Sequence, residues 1–133
     1  MSVSRNATTP AQVISVFATA LRDGRVEDAL ALYEPDAVFI PQPKAQPVSG
    51  REAITQALAQ FAALRPEMTS NIRSVVEAGA VATVINDWRL RGTAPDGTPI
   101  SIAGTSADVM RHRADGTWGI LIDDPWALAG GSP

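Results

Sequence analysis

Residues 17–41, FATALRDGRVEDALALYEPDAVFIP, decide how the rest of the chain is read. The stretch opens inside an amphipathic helix. Thr9 and Pro10 form a cap and first-turn pair, and Val13, Val16, Phe17, Ala20 and Leu21 recur at helical spacing until RDGR stops the run. That pattern predicts a helix over 10–22. A second, shorter helix is expected through VEDALALY, with Val26, Ala29, Leu30 and Tyr33 on one side, and Pro35 prevents its continuation. DAVFIP, 36–41, then reads as a strand.

Beyond the proline-rich PQPKAQPV, Ser49 and Glu52 stand in the S-x-x-E spacing of a capping box. They lead into Ile54, Ala57, Leu58 and Phe61 on one stripe, a third helix that ends near Pro66. From EMTSNIRSVVEAG onward the period becomes extended, and turn signals at EAGA, APDGTP and RADGT divide an antiparallel meander. In VATVINDWRL the even positions Ala82, Val84, Trp88 and Leu90 are mostly apolar, while Asp87, Arg89 and Arg91 on the other parity read as a wet edge or an interface. Gly104 to Ala107 are all small, which suggests a bend or bulge where something packs closely. Helices followed by long strands make an α+β order, with helices segregated to one face of a curved antiparallel sheet.

Composition narrows the function classes. A chain of 133 residues suits one domain with one core, here expected over 8–127 with flexible tails at 1–7 and 128–133. No apolar run approaches the ~20 residues that cross a bilayer. MSVSRNATTP lacks an apolar signal region, and the expectation is a soluble, cytoplasmic protein that does not act at a membrane. The absence of cysteine removes disulfides, thiolate metal sites and a cysteine nucleophile. A net charge of -3 without a basic cluster gives no footprint for nucleic acid. His112 is the only histidine, so a histidine-rich metal site and a two-histidine facial triad are excluded; its expected place is a solvated strand end. No G-x-S-x-G elbow, G-x-G-x-x-G or P-loop is present, and no cofactor is indicated.

The stretch 17–41, together with VSGREAITQAL (48–58) and DGTWGILIDDPW (115–126), resembles the SnoaL-like branch of the nuclear transport factor 2-like superfamily, which also includes ketosteroid isomerases. The resemblance implies a cone-shaped, cystatin-like α+β roll with three N-terminal helices on a curved sheet. It also implies a pocket between helices and sheet, and commonly a homodimer through the sheet's outer face. It does not fix function, because one scaffold of this kind hosts isomerases, cyclases, hydrolases, binding proteins and association modules. In ketosteroid isomerases a tyrosine on the first helix donates to the oxyanion, and the matching position here is Phe17. The register from the shared Asp36-Ala37 to the shared Ser49-Gly50 places Pro41 where that family has its aspartate base, and its protonated aspartate falls at or within one residue of Asp108. Steroid isomerisation by that route is therefore not expected.

The candidate site residues follow from parity and from that resemblance. Successive strand side chains point to opposite faces, so Asp123 and Asp124 do not form a neighbouring dyad. Asp124 shares parity with Trp118, Ile120 and Ile122, and with Pro125 holding its backbone extended it is the expected pocket carboxylate, general base or polar anchor. The alternative is that both acids are solvated at the start of a tail. Asp108, mid-strand, is either exposed or buried with a partner and a raised pKa. Phe17, Trp88, Phe61 and, less directly, Asp123 complete the expected ligand-binding set. Three readings stay open: an enzyme using a pocket carboxylate on an apolar, polyketide-like or terpenoid-like substrate, a module that binds such a ligand without chemistry, and a dimeric association module.

Overall fold

The computed structural model describes residues 7–128, in which three helices lie on a six-stranded, curved, unclosed and mostly antiparallel sheet. Helix α1 spans Pro10–Arg22. Thr9 caps it, its Oγ1 accepting from the Gln12 N–H at 3.2 Å, and Pro10 takes the first turn, where a missing N–H costs nothing. α2 is shorter than the sequence suggests, covering Val26–Leu30, and strand β1 begins at Tyr33 and runs to Phe39. The i, i+3 spacing of Leu30 and Tyr33 imitates a helix. Tertiary pairing overrides it, because Tyr33 lies beside Ile120 of the last strand.

The two-residue β2, Val48–Ser49, leads into α3, Arg51–Ala62. Ser49 is therefore in a strand and the expected capping box does not form; the turn into α3 is made by Gly50 at φ 91°, a left-handed position natural to glycine. The remaining strands are β3 (Glu67–Ala78), β4 (Val81–Thr93), β5 (Pro99–His112) and β6 (Trp118–Asp124). Their spatial order is β2-β1-β6-β5-β4-β3, with β1 and β6 parallel and every other pair antiparallel.

The helices cover the concave face. Val13, Leu21, Leu58, Phe39, Val84 and Met110 are fully buried between the layers. In β4 the even positions turn inward, as their apolar character predicts, and Asn86 turns inward with them. Of the expected tails, residues 1–6 and 129–133 lie outside the described residues. Ala7 belongs to the core: it is buried, and its carbonyl accepts from the Trp118 N–H at 2.7 Å. No helix among the described residues is long and apolar enough to cross a membrane.

Candidate ligand cavity and carboxyl pair

Between α1, α3 and the concave sheet lies a cavity of about 70 Å³. Its wall is mostly apolar and includes Phe17 from α1, Phe61 from α3, Trp88 from β4 and Trp126 beyond β6. A polar stripe crosses that wall diagonally over four strands: Asp123 (β6), Asp108 and Ser106 (β5), Asn86 (β4) and Ser70 (β3). No Lys, Arg or His lines the cavity among the described residues.

Asp123, not Asp124, is the carboxylate that enters the cavity. The alternation read from the sequence breaks at a bulge: along β6, Ile120 pairs with Met110 and Ile122 with Val109, so Leu121 is an extra residue with no partner on β5. One additional residue exchanges the two faces of the strand from that point on. Trp118 and Ile120 are buried before the bulge; after it Asp123 is buried, whereas Ile122 is turned outward and is 37% exposed. Asp124 is half-buried, and its Oδ1 accepts from the Trp126 N–H at 3.3 Å. Its backbone N–H donates to Asp108 Oδ1 at 3.1 Å, which makes Asp124 a support for the pair in the cavity.

Asp108 and Asp123 stand directly opposite each other on β5 and β6 and are 5% and 8% exposed. Two ionised carboxylates so placed would repel strongly in a low dielectric, and the remedy is a shared proton. Burial, then the neighbouring Asp123 charge and hydrogen bond, hold the Asp108 carboxyl well above the ordinary carboxylate range, against weaker opposing help from the Asp124 N–H and Ser106. Burial also raises Asp123, but hydrogen bonds from Tyr33 and Asp108 oppose it. Tyr33 Oη donates to Asp123 Oδ2 at 2.5 Å, and burial with the adjacent Asp123 charge pushes the phenol itself upward. These influences favour the proton on Asp108 and the charge on Asp123, to which Tyr33 donates. The pair combines a proton donor and a proton acceptor in an apolar cavity.

Aromatic rings position the rest. Phe17, Tyr33, Phe39 and Phe61 form a chain of edge-to-face contacts at 6.2, 6.2 and 6.4 Å between centroids. Trp88 packs against Gly104, one of the run of small residues from Gly104 to Ala107. A Cβ there would stand 2.9 Å from the indole. Trp88 donates its Nε1–H to the Pro125 carbonyl at 2.8 Å and meets Trp126 edge-on at 5.1 Å. Pro41 lies apart from this cavity, in an outer groove whose inner wall is Phe61 and Trp126. His112 is exposed at the end of β5, stacked on Trp118 at 4.8 Å. Asp87 is tied on the outer face to Arg73 at 2.6 Å and to Thr105 at 2.7 Å.

Sequence reasoning missed three residues that shape the site. Its spacing puts Tyr33 on a helix face, and nothing in the sequence gives Trp126 a role. Asn86 carried a legible signal, as the one polar side chain on the apolar parity of β4.

Known proteins resemble this chain in fold and family. A model of the SnoaL-like domain matches residues 14–118. A search of curated sequences finds no match. Among solved structures, one described as a calcium/calmodulin dependent protein kinase II association domain, from Xanthomonas campestris, aligns with a TM-score of 0.76 at 21% identity, over 97% of this chain and 98% of that one. A nuclear transport factor 2-like protein with a cystatin-like fold from Novosphingobium aromaticivorans aligns with a TM-score of 0.74 at 17% identity, over 91% and 80%. A Catenulispora acidiphila protein in complex with S-DNPA aligns with a TM-score of 0.66 at 23% identity, over 85% and 86%.

Proposed function

Because the chain belongs to the SnoaL-like domain family, we propose that it binds a small, mostly apolar molecule in the α1–α3–sheet cavity, where Asp108 and Asp123 act as polar anchor and as general acid and base. The observation that carries this reading is the buried carboxyl pair, opposite each other in register and lining an apolar cavity with no basic side chain among the described residues. A structural ion pair would bring an arginine or lysine; a pair of acids sharing a proton is costly to bury and is suited to moving that proton. Asp108 donates to a developing oxygen anion or leaving group, and Asp123 removes a proton or activates a hydroxyl, each step worth ~10²–10⁴ in rate. This is not the ketosteroid isomerase route, since Phe17 on the wall carries no donor and Pro41 lies outside the cavity. The cavity holds about half the volume of a site that takes benzene, ~150 Å³, so a ligand of benzene's size, a substituted five-membered ring included, requires Trp126 and Phe61, the wall shared with the outer groove, to move.

Cyclopentanone tests the reading without a known substrate. Binding is followed by the fluorescence of Trp88 and Trp126, and proton transfer by deuterium uptake at the carbon next to the carbonyl in D₂O. The proposal expects saturable binding and exchange above the buffer rate that falls by at least ~10² in Asp123→Asn and Asp108→Asn but not in Asp124→Asn. Equal loss in all three variants, or no binding, would refute it; binding without exchange selects the non-catalytic reading.

The association reading has its own supporting observation. On the convex face Val76, Thr83, Val109 and Ile122 lie side by side across β3, β4, β5 and β6, with Val76 59% exposed. We propose that this row is covered by a second copy of the chain, an interface compatible with ligand binding on the opposite face.

A further inference from the structure

The carboxyl pair leaves two buried polar atoms in the cavity wall unused. Asn86 is 3% exposed; its Nδ2 donates to Ser70 Oγ at 3.3 Å and its backbone carbonyl accepts from Ser106 Oγ at 3.4 Å, but its Oδ1 has no partner. Trp126 Nε1–H is buried and equally without a partner, although the neighbouring Trp88 indole N–H is bonded to the Pro125 carbonyl. Buried polar groups in folded proteins are nearly always paired, so each orphan calls for an explanation. One orphan is an acceptor and the other an indole donor, and both residues line the cavity. Asn86 is displaced from the carboxyl pair: it faces Ser106, one strand across and two residues along from Asp108, a Cα separation of roughly 8 Å from strand geometry, and Trp126 lies against Trp88, the next inward residue of β4 after Asn86.

A hydroxyl is the smallest group that donates to an amide oxygen and accepts from an indole N–H. A carbonyl satisfies only the indole, and a hydrocarbon satisfies neither. We propose that Asn86 and Trp126 are specificity-determining residues that read a hydroxyl group on an otherwise apolar ligand, at a pole of the cavity distinct from Asp108 and Asp123. This rests on the reading of the cavity as a binding site. An analogue that lacks the hydroxyl leaves both protein groups unpaired inside the complex, and that is how a polar contact rejects a near-isostere more strongly than apolar fit does.

The test uses the full chain labelled with nitrogen-15 and three probes of one size: cyclopentanol, cyclopentanone and cyclopentane. The Trp126 indole resonance is assigned by its loss in Trp126→Phe. Cyclopentanol is expected to bind at least about tenfold more tightly than cyclopentane, the weight of one net hydrogen bond, and to shift the Trp126 indole resonance. That preference should vanish in Asn86→Leu and in Trp126→Phe while persisting in Asp123→Asn. Trp126→Phe keeps an aromatic wall and carries the test if a thermal melt finds Asn86→Leu unfolded. A preference that survives both substitutions but disappears in Asp123→Asn puts the hydroxyl on the carboxyl pair and overturns this inference while sparing the cavity. Failure of all three probes to bind overturns both.

Discussion

Asp108 and Asp123 face each other across the β5–β6 ladder, and the Tyr33 hydroxyl stands 2.5 Å from Asp123 Oδ2. Two carboxyl groups and one phenol thus meet where no basic side chain lines the cavity among the described residues, and the stability of the fold depends on how many protons they hold.

The first prediction concerns pH. A carboxyl whose native pKa lies above its unfolded value stabilises the fold fully below the ordinary carboxylate range, and that contribution is lost as pH rises through the raised native value. Asp108 is such a group. The wild type is expected to melt at progressively lower temperature as pH is raised from the ordinary carboxylate range toward alkaline values. Asp108→Asn retains an amide donor toward Asp123 and an oxygen for the Asp124 N–H without a titrating proton, so its melting temperature should vary less over that range and exceed the wild type's at the alkaline end. Thermal melts at several pH values check this; parallel curves would contradict it.

Tyr33→Phe removes one donor from the Asp123 carboxylate and leaves the ring in place between Phe17 and Phe39. A hydrogen bond to a charged group is worth ~1.5–3 kcal/mol. The loss should be near that figure where Asp123 is ionised and smaller in acid, where the carboxyl is protonated in either protein. Denaturant unfolding at two pH values separates this from a simple packing defect, which costs the same at both.

Gly104→Ala places a methyl 2.9 Å from Trp88 Cζ2, 3.1 Å from Cε2 and 3.2 Å from the Pro125 carbonyl oxygen. The indole must shift, straining its 2.8 Å bond to Pro125 and the edge contact with Trp126. Overpacking of this kind costs ~1–3 kcal/mol. A lower melting temperature and altered tryptophan emission are expected, together with weaker binding of any cavity ligand. Unchanged emission would mean that Gly104 does not position Trp88.

The convex row predicts a homodimer. Sedimentation at micromolar concentration should return twice the 14.0 kDa chain mass, and Val76→Asp or Val109→Asp should return one chain without loss of the fold. A monomeric wild type would remove the interface.

The fold was legible because its signals are local. The Thr9-Pro10 cap, the glycine turns and the parity of β4 each correspond to a feature of the structure. Where reading failed, long-range pairing prevailed: Tyr33 sits in β1 because β6 lies beside it, and Asp123 faces inward because Leu121 is bulged out of register with β5. Alternation counts residues, and a bulge adds one that no single strand reveals. Asp108, Phe17, Trp88 and Phe61 lie on the cavity wall, while Asp124 stands beside the pair as a backbone donor. Asn86 was visible as a polar residue out of pattern, and Trp126 acquires a place only once the chain beyond Pro125 folds back over Trp88.

The claim at the centre of this account is a proton held between Asp108 and Asp123 at neutral pH, and infrared difference spectroscopy reads it most directly. The account predicts a protonated-carboxyl C=O band in the wild type at about pH 7, where free carboxylic acids are ionised. The band should be absent or displaced in Asp108→Asn and Asp123→Asn, unchanged in Asp124→Asn, and shifted when cyclopentanone occupies the cavity. A wild type with no such band, or a band that survives in both Asp108→Asn and Asp123→Asn, would contradict it.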